Sequence, residues 1–286
     1  MSFLPGYSLL VPTDFTEKTN LALSFAANLI KERGGIIYSL HVVDYLPELN
    51  GITVEAARQR HAEYVKTQSE ILGVTIIPNI VTGNIFNSIG EAASKLGTNL
   101  IIMGVHGMQG IQFVIGSFAA RVILGCSIPV ILISDEFVFQ GFKNIVLPLD
   151  MNRKVDRIVS KAKELGIQYG STVHVFSNID SNSFIKRAIL KAETFQIINS
   201  IKRTGIKTSS RIVYGENSKF VENVLKYSAE INADLIMMAL QSQGRSLEFV
   251  VGKTENRIMQ YSKVPLYIIN PTKAYRQDNL YHYGWK

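Results

Sequence analysis

The chain has 286 residues, 47% of them hydrophobic, a net charge of +7 and one cysteine, Cys126. That length suits about two ordinary domains. No apolar run reaches the roughly 18–20 residues of a membrane span, and a lone cysteine excludes an internal disulfide framework or a multi-cysteine metal site. The charge is lopsided: residues 1–140 hold 8 basic and 11 acidic side chains, net −3, and the remainder 22 and 12, net +10. No basic run is dense or interleaved with aromatics, so nucleic acid is not the expected partner. The opening "MSFLPGYSLLVPTDF" has no basic stretch ahead of an apolar one, so no signal peptide is expected and the chain reads as cytoplasmic.

From the N-terminus, "YSLLVP" reads as a strand, and "TEKTNLALSFAANLIKERGG" as a helix with apolar residues at helical spacing and a Gly-Gly stop. "IIYSLHVV" is the second strand, residues 53–71 a helix, and "TIIPNIV" the third strand. "IFNSIGEAASKLG" is a helix ending in glycine, "NLIIM" the fourth strand, 117–125 a short helix, and "PVILI" the fifth strand. These strands are continuous apolar runs rather than alternating ones. Both their faces are therefore covered, as in a parallel sheet flanked by helices. Strand–helix alternation with right-handed crossovers gives an open α/β sheet, whose ligands bind outside the carboxyl ends of the strands.

The chain then repeats itself. "SLLVPTDF" (8–15) matches "NIVLPLDM" (144–151), and "YSLHVVD" (38–44) matches "STVHVFSN" (171–178), which sets His41 beside His174. The stretch 81–104 matches 213–239, and 115–133 matches 251–269. Pro12 maps to Pro148 and Pro129 to Pro265. The expected units are 1–138 and 142–272, followed by a tail, 273–286, that carries Trp285 and three tyrosines.

At the strand ends, Thr13 or Asp14 is expected to cap the first helix; Asp14 alternatively serves a sugar hydroxyl or a metal. His41 lies mid-strand between apolar neighbours. After the fourth strand comes "GVHGMQGIQFVIGS" (104–117), with Gly104, Gly107 and a closing Gly116-Ser117. A first strand ending Val-Pro-x-Asp-Phe, a second ending Leu-His-Val-Val, and Gly-x-His-Gly…Gly-Ser after the fourth together resemble the universal stress protein family. The resemblance covers both repeats, roughly 5–272, and so points to its tandem form.

That resemblance implies two Rossmann-like five-stranded parallel sheets in the order 3-2-1-4-5. It also implies an adenine nucleotide, usually ATP, between strands 1 and 4. Carried over, Pro12, Thr13 and Phe15 line the adenine, and Val42 offers backbone hydrogen bonds to the base. Asp14 and Gly104 lie near the ribose, with Asp14 a candidate ligand for Mg²⁺. Gly107, Gly116, Ser117 and the backbone of Met108 and Phe118 surround the phosphates. His106 lies in the same loop, and by its place there it touches a phosphate or orients the loop. The physics is compatible: glycines allow φ > 0 and close approach, and a helix start presents free N–H groups to an anion. The resemblance further implies that the last strands, "PVILIS" and "PLYIIN", pair within the chain as a pseudo-dimer, covering each other's edges.

The loop departs from the family pattern. ATP-binding members have nine residues between the second glycine and Gly-Ser/Thr; here 108–115 supply eight, a shortening that either the flexible Gly110 absorbs or that suits AMP or ADP better than a γ-phosphate. The second copy, "ALQSQGRSLEFVVGKT", has nine residues, but Ala239, Gln241 and Ser242 replace Gly104, His106 and Gly107, and Lys253 replaces Ser117. "VVGKT" is no Walker A motif, because Leu247 stands where its first glycine belongs. The second copy is thus expected to be a degenerate site. No nucleophile–base pair or metal spacing is apparent among His41, His61, His106, His174 and His282. The expected function is adenine-nucleotide binding in stress response or signalling. The alternatives are a nucleotide-free scaffold of the same fold, with a protein partner or homodimer, and a slow ATP hydrolase.

Overall fold

The computed structural model describes residues 7–43, 53–105, 115–134, 139–149, 155–180, 183–240, 242–243 and 250–270, with backbone alone for 115–118, 242–243 and 250–251. The first half runs β1 (Tyr7–Pro12), α1 (Glu17–Arg33), β2 (Gly35–Val43), α2 (Val54–Leu72), β3 (Ile76–Thr82), α3 (Ile85–Lys95), β4 (Leu100–Gly104), α4 (Ile115–Gly125) and β5 (Val130–Ile133). The second runs β6 (Asn144–Leu149), α5 (Asp156–Tyr169), β7 (Thr172–Ile179), α6 (Phe184–Lys202), β8 (Lys207–Tyr214) and α7 (Phe220–Glu230). It closes with β9 (Leu235–Ala239), β10 (Ser242–Gln243), β11 (Val250–Val251), α8 (Lys253–Tyr261) and β12 (Leu266–Ile269).

Local chemistry sets the boundaries. Thr53 accepts from Ala56 N at 3.1 Å and Asn84 from Phe86 N at 2.9 Å, so α2 and α3 start where a side chain satisfies an orphan N–H. Gly73 and Gly170 end α2 and α5 in the left-handed conformation. Pro78 sits on β3, an edge strand, where a missing N–H is tolerated.

All the main strands join one ten-stranded sheet, β3-β2-β1-β4-β5-β12-β9-β6-β7-β8. Each half has the expected 3-2-1-4-5 order. The halves meet where β5 and β12 pair antiparallel, Ile131 opposite Tyr267. One buried cluster on the α1/α5 face contains Leu9 and Ile37 together with Ile145 and Val173. A second, on the α3/α4/α7/α8 face, contains Ile123 with Ile258. Each face therefore has a core continuous across the junction. Arg33 of α1 donates to the Gln168 carbonyl and lies 4.2 Å over the Tyr169 ring, and Asn270 donates to Leu124 O at 3.0 Å.

The ladder corrects one pairing of the repeat. Pro12 stands beside Leu40, and Pro148 beside Phe176. The shift between copies on the second strand is thus 136, as for the prolines. His41 corresponds to Ser177, not to His174. A shared His-Val dipeptide aligns the sequences three residues away from the register that the sheet imposes, and His174 instead bonds Tyr227 and Asn144 at 3.2 Å each.

Candidate functional site

In a 3-2-1-4-5 sheet the winding reverses between β1 and β4, and the crevice opens there. β1 makes its last rung at Pro12, and Thr13 N still reaches Leu40 O at 2.7 Å. Thr13 Oγ1 then accepts from Phe15 N at 3.0 Å, and Phe15 adopts φ 65°. A phenylalanine in that region is strained, at a cost of about 1–3 kcal/mol. The helix cap is Thr16, not Thr13 or Asp14 as the sequence suggests, because this turn delays α1 to Glu17.

Asp14 is freed for another task. Its Oδ1 accepts from Thr16 N at 3.1 Å, Thr16 Oγ1 at 2.6 Å and Thr19 Oγ1 at 2.9 Å. Partial burial pushes its pKa up, but the threonine hydrogen bonds outweigh this and hold the carboxyl below its ordinary value. Asp14 is therefore a fixed, charged acceptor at the mouth of the crevice.

Val42 follows from the alternation of β2. Leu40 O faces β1, where it accepts Thr13 N, and Val43 O faces β3, where it accepts Gly83 N at 2.9 Å. Val42 therefore presents its N–H and C=O toward β1, one step past that strand's last rung. Gly104 sits at the end of β4, without the positive φ expected for it. A Cβ there would strike Lys18 O well inside van der Waals contact, so the glycine's close approach is to the first turn of α1. Gly116, Ser117 and Phe118 fall in the first turn of α4, which starts at Ile115. His106, Gly107 and Met108 lie outside the described residues.

Three neighbours escape sequence reading. Phe15 packs 4.6 Å from His41 and 5.3 Å from Tyr64, and the Arg60 guanidinium lies 4.5 Å over its ring. His61 stands with Ala57 and Val65 on the buried stripe of α2, and its Nε2 is 2.9 Å from Ser39 Oγ. The i, i+4 spacing of 57, 61 and 65 carries that signal; the contact with Phe15 crosses 46 residues of chain and does not. Ser39 and His61 resemble a nucleophile–base pair, yet both are fully buried, so no substrate reaches them. His41 Nδ1 is 2.9 Å from Thr13 O, which requires the proton on that nitrogen.

Burial, reinforced by nearby His41, pushes His61 down to about 4. Its folded value lies below that of the unfolded chain, so the neutral form stabilises the fold above about pH 6.5. Stability then falls by about 1.4 kcal/mol per pH unit on acidification toward pH 4. Urea unfolding at pH 7 and pH 5 should show this slope, and His61→Gln should flatten it. An equal slope in that variant assigns the effect elsewhere.

The second half lacks most of this apparatus. Leu149 replaces Thr13, Val155 replaces Thr19, and Asn178, bonded to Gly215 O at 3.1 Å, replaces Val42. Ser177 occupies the place of His41 and lies 3.3 Å from Thr194 of α6, the helix that corresponds to α2. The stretch after β9 folds into an antiparallel ribbon in which Ser242 faces Val251. Asp150, which the repeat sets at the Asp14 position, lies outside the described residues.

The family model described as the universal stress protein family matches residues 8–134. A universal stress protein of Methanocaldococcus jannaschii is 31% identical over 136 residues, spanning 44% of this chain and 80% of that protein. The crystal structure of a universal stress protein from Archaeoglobus fulgidus superposes with a TM-score of 0.74 at 21% identity. That match covers 93% of this chain and 98% of the other. A protein of unknown function from Pseudomonas aeruginosa gives 0.64 at 14%, with 92% of each chain covered. The chain belongs to the universal stress protein family. Its full-length structural matches extend the same fold over both halves.

Proposed function

We propose that the first half binds an adenine nucleotide at the β1/β4 crevice, and that the chain acts through this binding in stress response or signalling. The carrying observation is the Asp14 carboxylate, whose Oδ1 is fixed by three donors from Thr16 and Thr19 beside the backbone edge that Val42 turns toward β1. Val42 reads the base, Pro12, Thr13 and Phe15 wall it, and Asp14 holds the ribose. Gly104 shapes the floor from behind. The loop with His106, Gly107 and Met108, and the first turn of α4 with Gly116, Ser117 and Phe118, receive the phosphates. Among the described residues no cluster of three His, Cys, Asp or Glu could hold a metal, so any Mg²⁺ rests mainly on the phosphates, with Asp14 near. The units are 1–138, which carries this site, and 142–272, which packs and covers the β5 edge.

Calorimetry with ATP, ADP and AMP tests the reading. With the loop one residue short, AMP and ADP should bind at least as tightly as ATP. No heat with any of the three, and no nucleotide released from freshly purified protein, would sink it in favour of a nucleotide-free scaffold.

A further inference from the structure

The helix α6 has two apolar faces. The inner one, Leu190, Thr194, Ile198 and Ile201, packs toward β7, β8 and α5. The outer one meets solvent: Phe184 is 84% exposed, Ile185 71%, Ile189 53% and Phe195 44%. The exposed Ala188 and Ala192 fill the same stripe, which follows the i, i+4 rows of the helix. Exposed Lys186, Arg187 and Lys191 flank it, and Glu193 is the helix's one acid.

The fold does not require this face to be apolar. The corresponding helix of the first half, α2, exposes Glu55, Arg58, Glu63, Lys66 and Glu70, and its one largely exposed big apolar side chain is Ile71. Two helices in equivalent places thus differ in the surface they offer. Contiguous exposed apolar side chains of this kind mark an interaction surface.

We infer that the outer face of α6 docks on an anionic lipid bilayer surface. Charge complementarity selects an anion: residues 184–202 carry net +3, in a half that carries +10. A second copy seated here about a two-fold axis would set two surfaces of net +3 against each other. The pattern selects the bilayer. The helix packs beside the edge strand β8, and an exposed apolar stripe with basic side chains along it is the pattern of a helix that lies in a membrane interface. A bilayer admits phenylalanine and isoleucine to the acyl boundary while lysine and arginine stems reach the headgroups.

Sedimentation of the full chain with vesicles tests this. Binding is expected to phosphatidylcholine vesicles that contain phosphatidylglycerol, weakening with salt, and not to phosphatidylcholine alone. Ile185→Ser with Ile189→Ser should weaken binding on the order of tenfold or more, as should Lys186→Glu with Arg187→Glu. Arg58→Glu with Lys66→Glu on α2 should leave it unchanged. Circular dichroism and urea midpoints equal to those of the unaltered chain show that these surface variants fold. Absence of binding at low salt overturns the inference, and so does binding that the two isoleucine changes leave intact. A concentration-dependent dimer in ultracentrifugation that the isoleucine changes abolish would assign the face to a second copy and overturn it equally.

Discussion

Asp14→Ala is expected to weaken adenine-nucleotide binding about 10- to 100-fold, the range for losing a hydrogen bond to a charged group. The carboxylate acts twice. It offers an acceptor to the ribose, and through Thr16 and Thr19 it holds the strained turn that positions Phe15. Thr19→Val separates the two roles, because it cuts one strut and keeps the charge; its cost should be roughly twofold to tenfold. The pKa of Asp14 lies below the ordinary carboxylate value, so the carboxylate stays charged under mild acid and affinity should stay flat between pH 8 and pH 5 as far as this group decides it. Calorimetry across the three proteins measures both. Unchanged affinity in Asp14→Ala, with a loss in Lys253→Ala, would move the site to the second half.

Most of the architecture is legible because it follows from period and repetition. Unbroken apolar runs such as "NLIIM" and "PVILI" become the buried strands β4 and β5, and Pro12 and Pro148 mark the same rung twice. The pairing of β5 with β12 comes from the family resemblance, since composition cannot choose which edges meet. The second strand shows where a repeated dipeptide misleads. His41 and His174 share a neighbour in sequence, but register is set by which residues alternate into the core. Leu40 and Phe176 are the matched buried pair.

The site is less legible than the fold. Asp14 can be found because it follows a strand-ending proline. Its three threonine donors at 2.6 to 3.1 Å depend on a left-handed Phe15 that no propensity favours. Arg60, His61 and Tyr64 reach Phe15 only because α2 folds over β2, a contact made across tens of residues of chain. Glycines read in sequence as site residues serve other ends too: Gly104, which the resemblance sets near the ribose, makes its close approach to Lys18.

Gly104→Val should destabilise the protein before it disturbs any ligand. The new Cβ would meet Lys18 backbone, which cannot swing aside as a side-chain tip does. Overpacking of this kind costs about 1–3 kcal/mol for a single added carbon, and more for a branched side chain. The second half provides the control. It carries Ala239 at the matching rung of β9, and there α5 begins at Asp156, the counterpart of Asn20, three residues later than α1 does. Ala239→Gly should therefore cost no more than about 0.5–1 kcal/mol, the ordinary penalty for a glycine in regular structure. Urea unfolding of Gly104→Ala, Gly104→Val and Ala239→Gly would rank them, with the valine least stable. Nucleotide affinity in the alanine variant then becomes informative. If the variant stays folded at lower stability and still binds, Gly104 serves the packing of β4 against α1 and only frames the site. An unfolding midpoint unchanged in Gly104→Ala would remove that packing role and return the glycine to direct contact with the ribose.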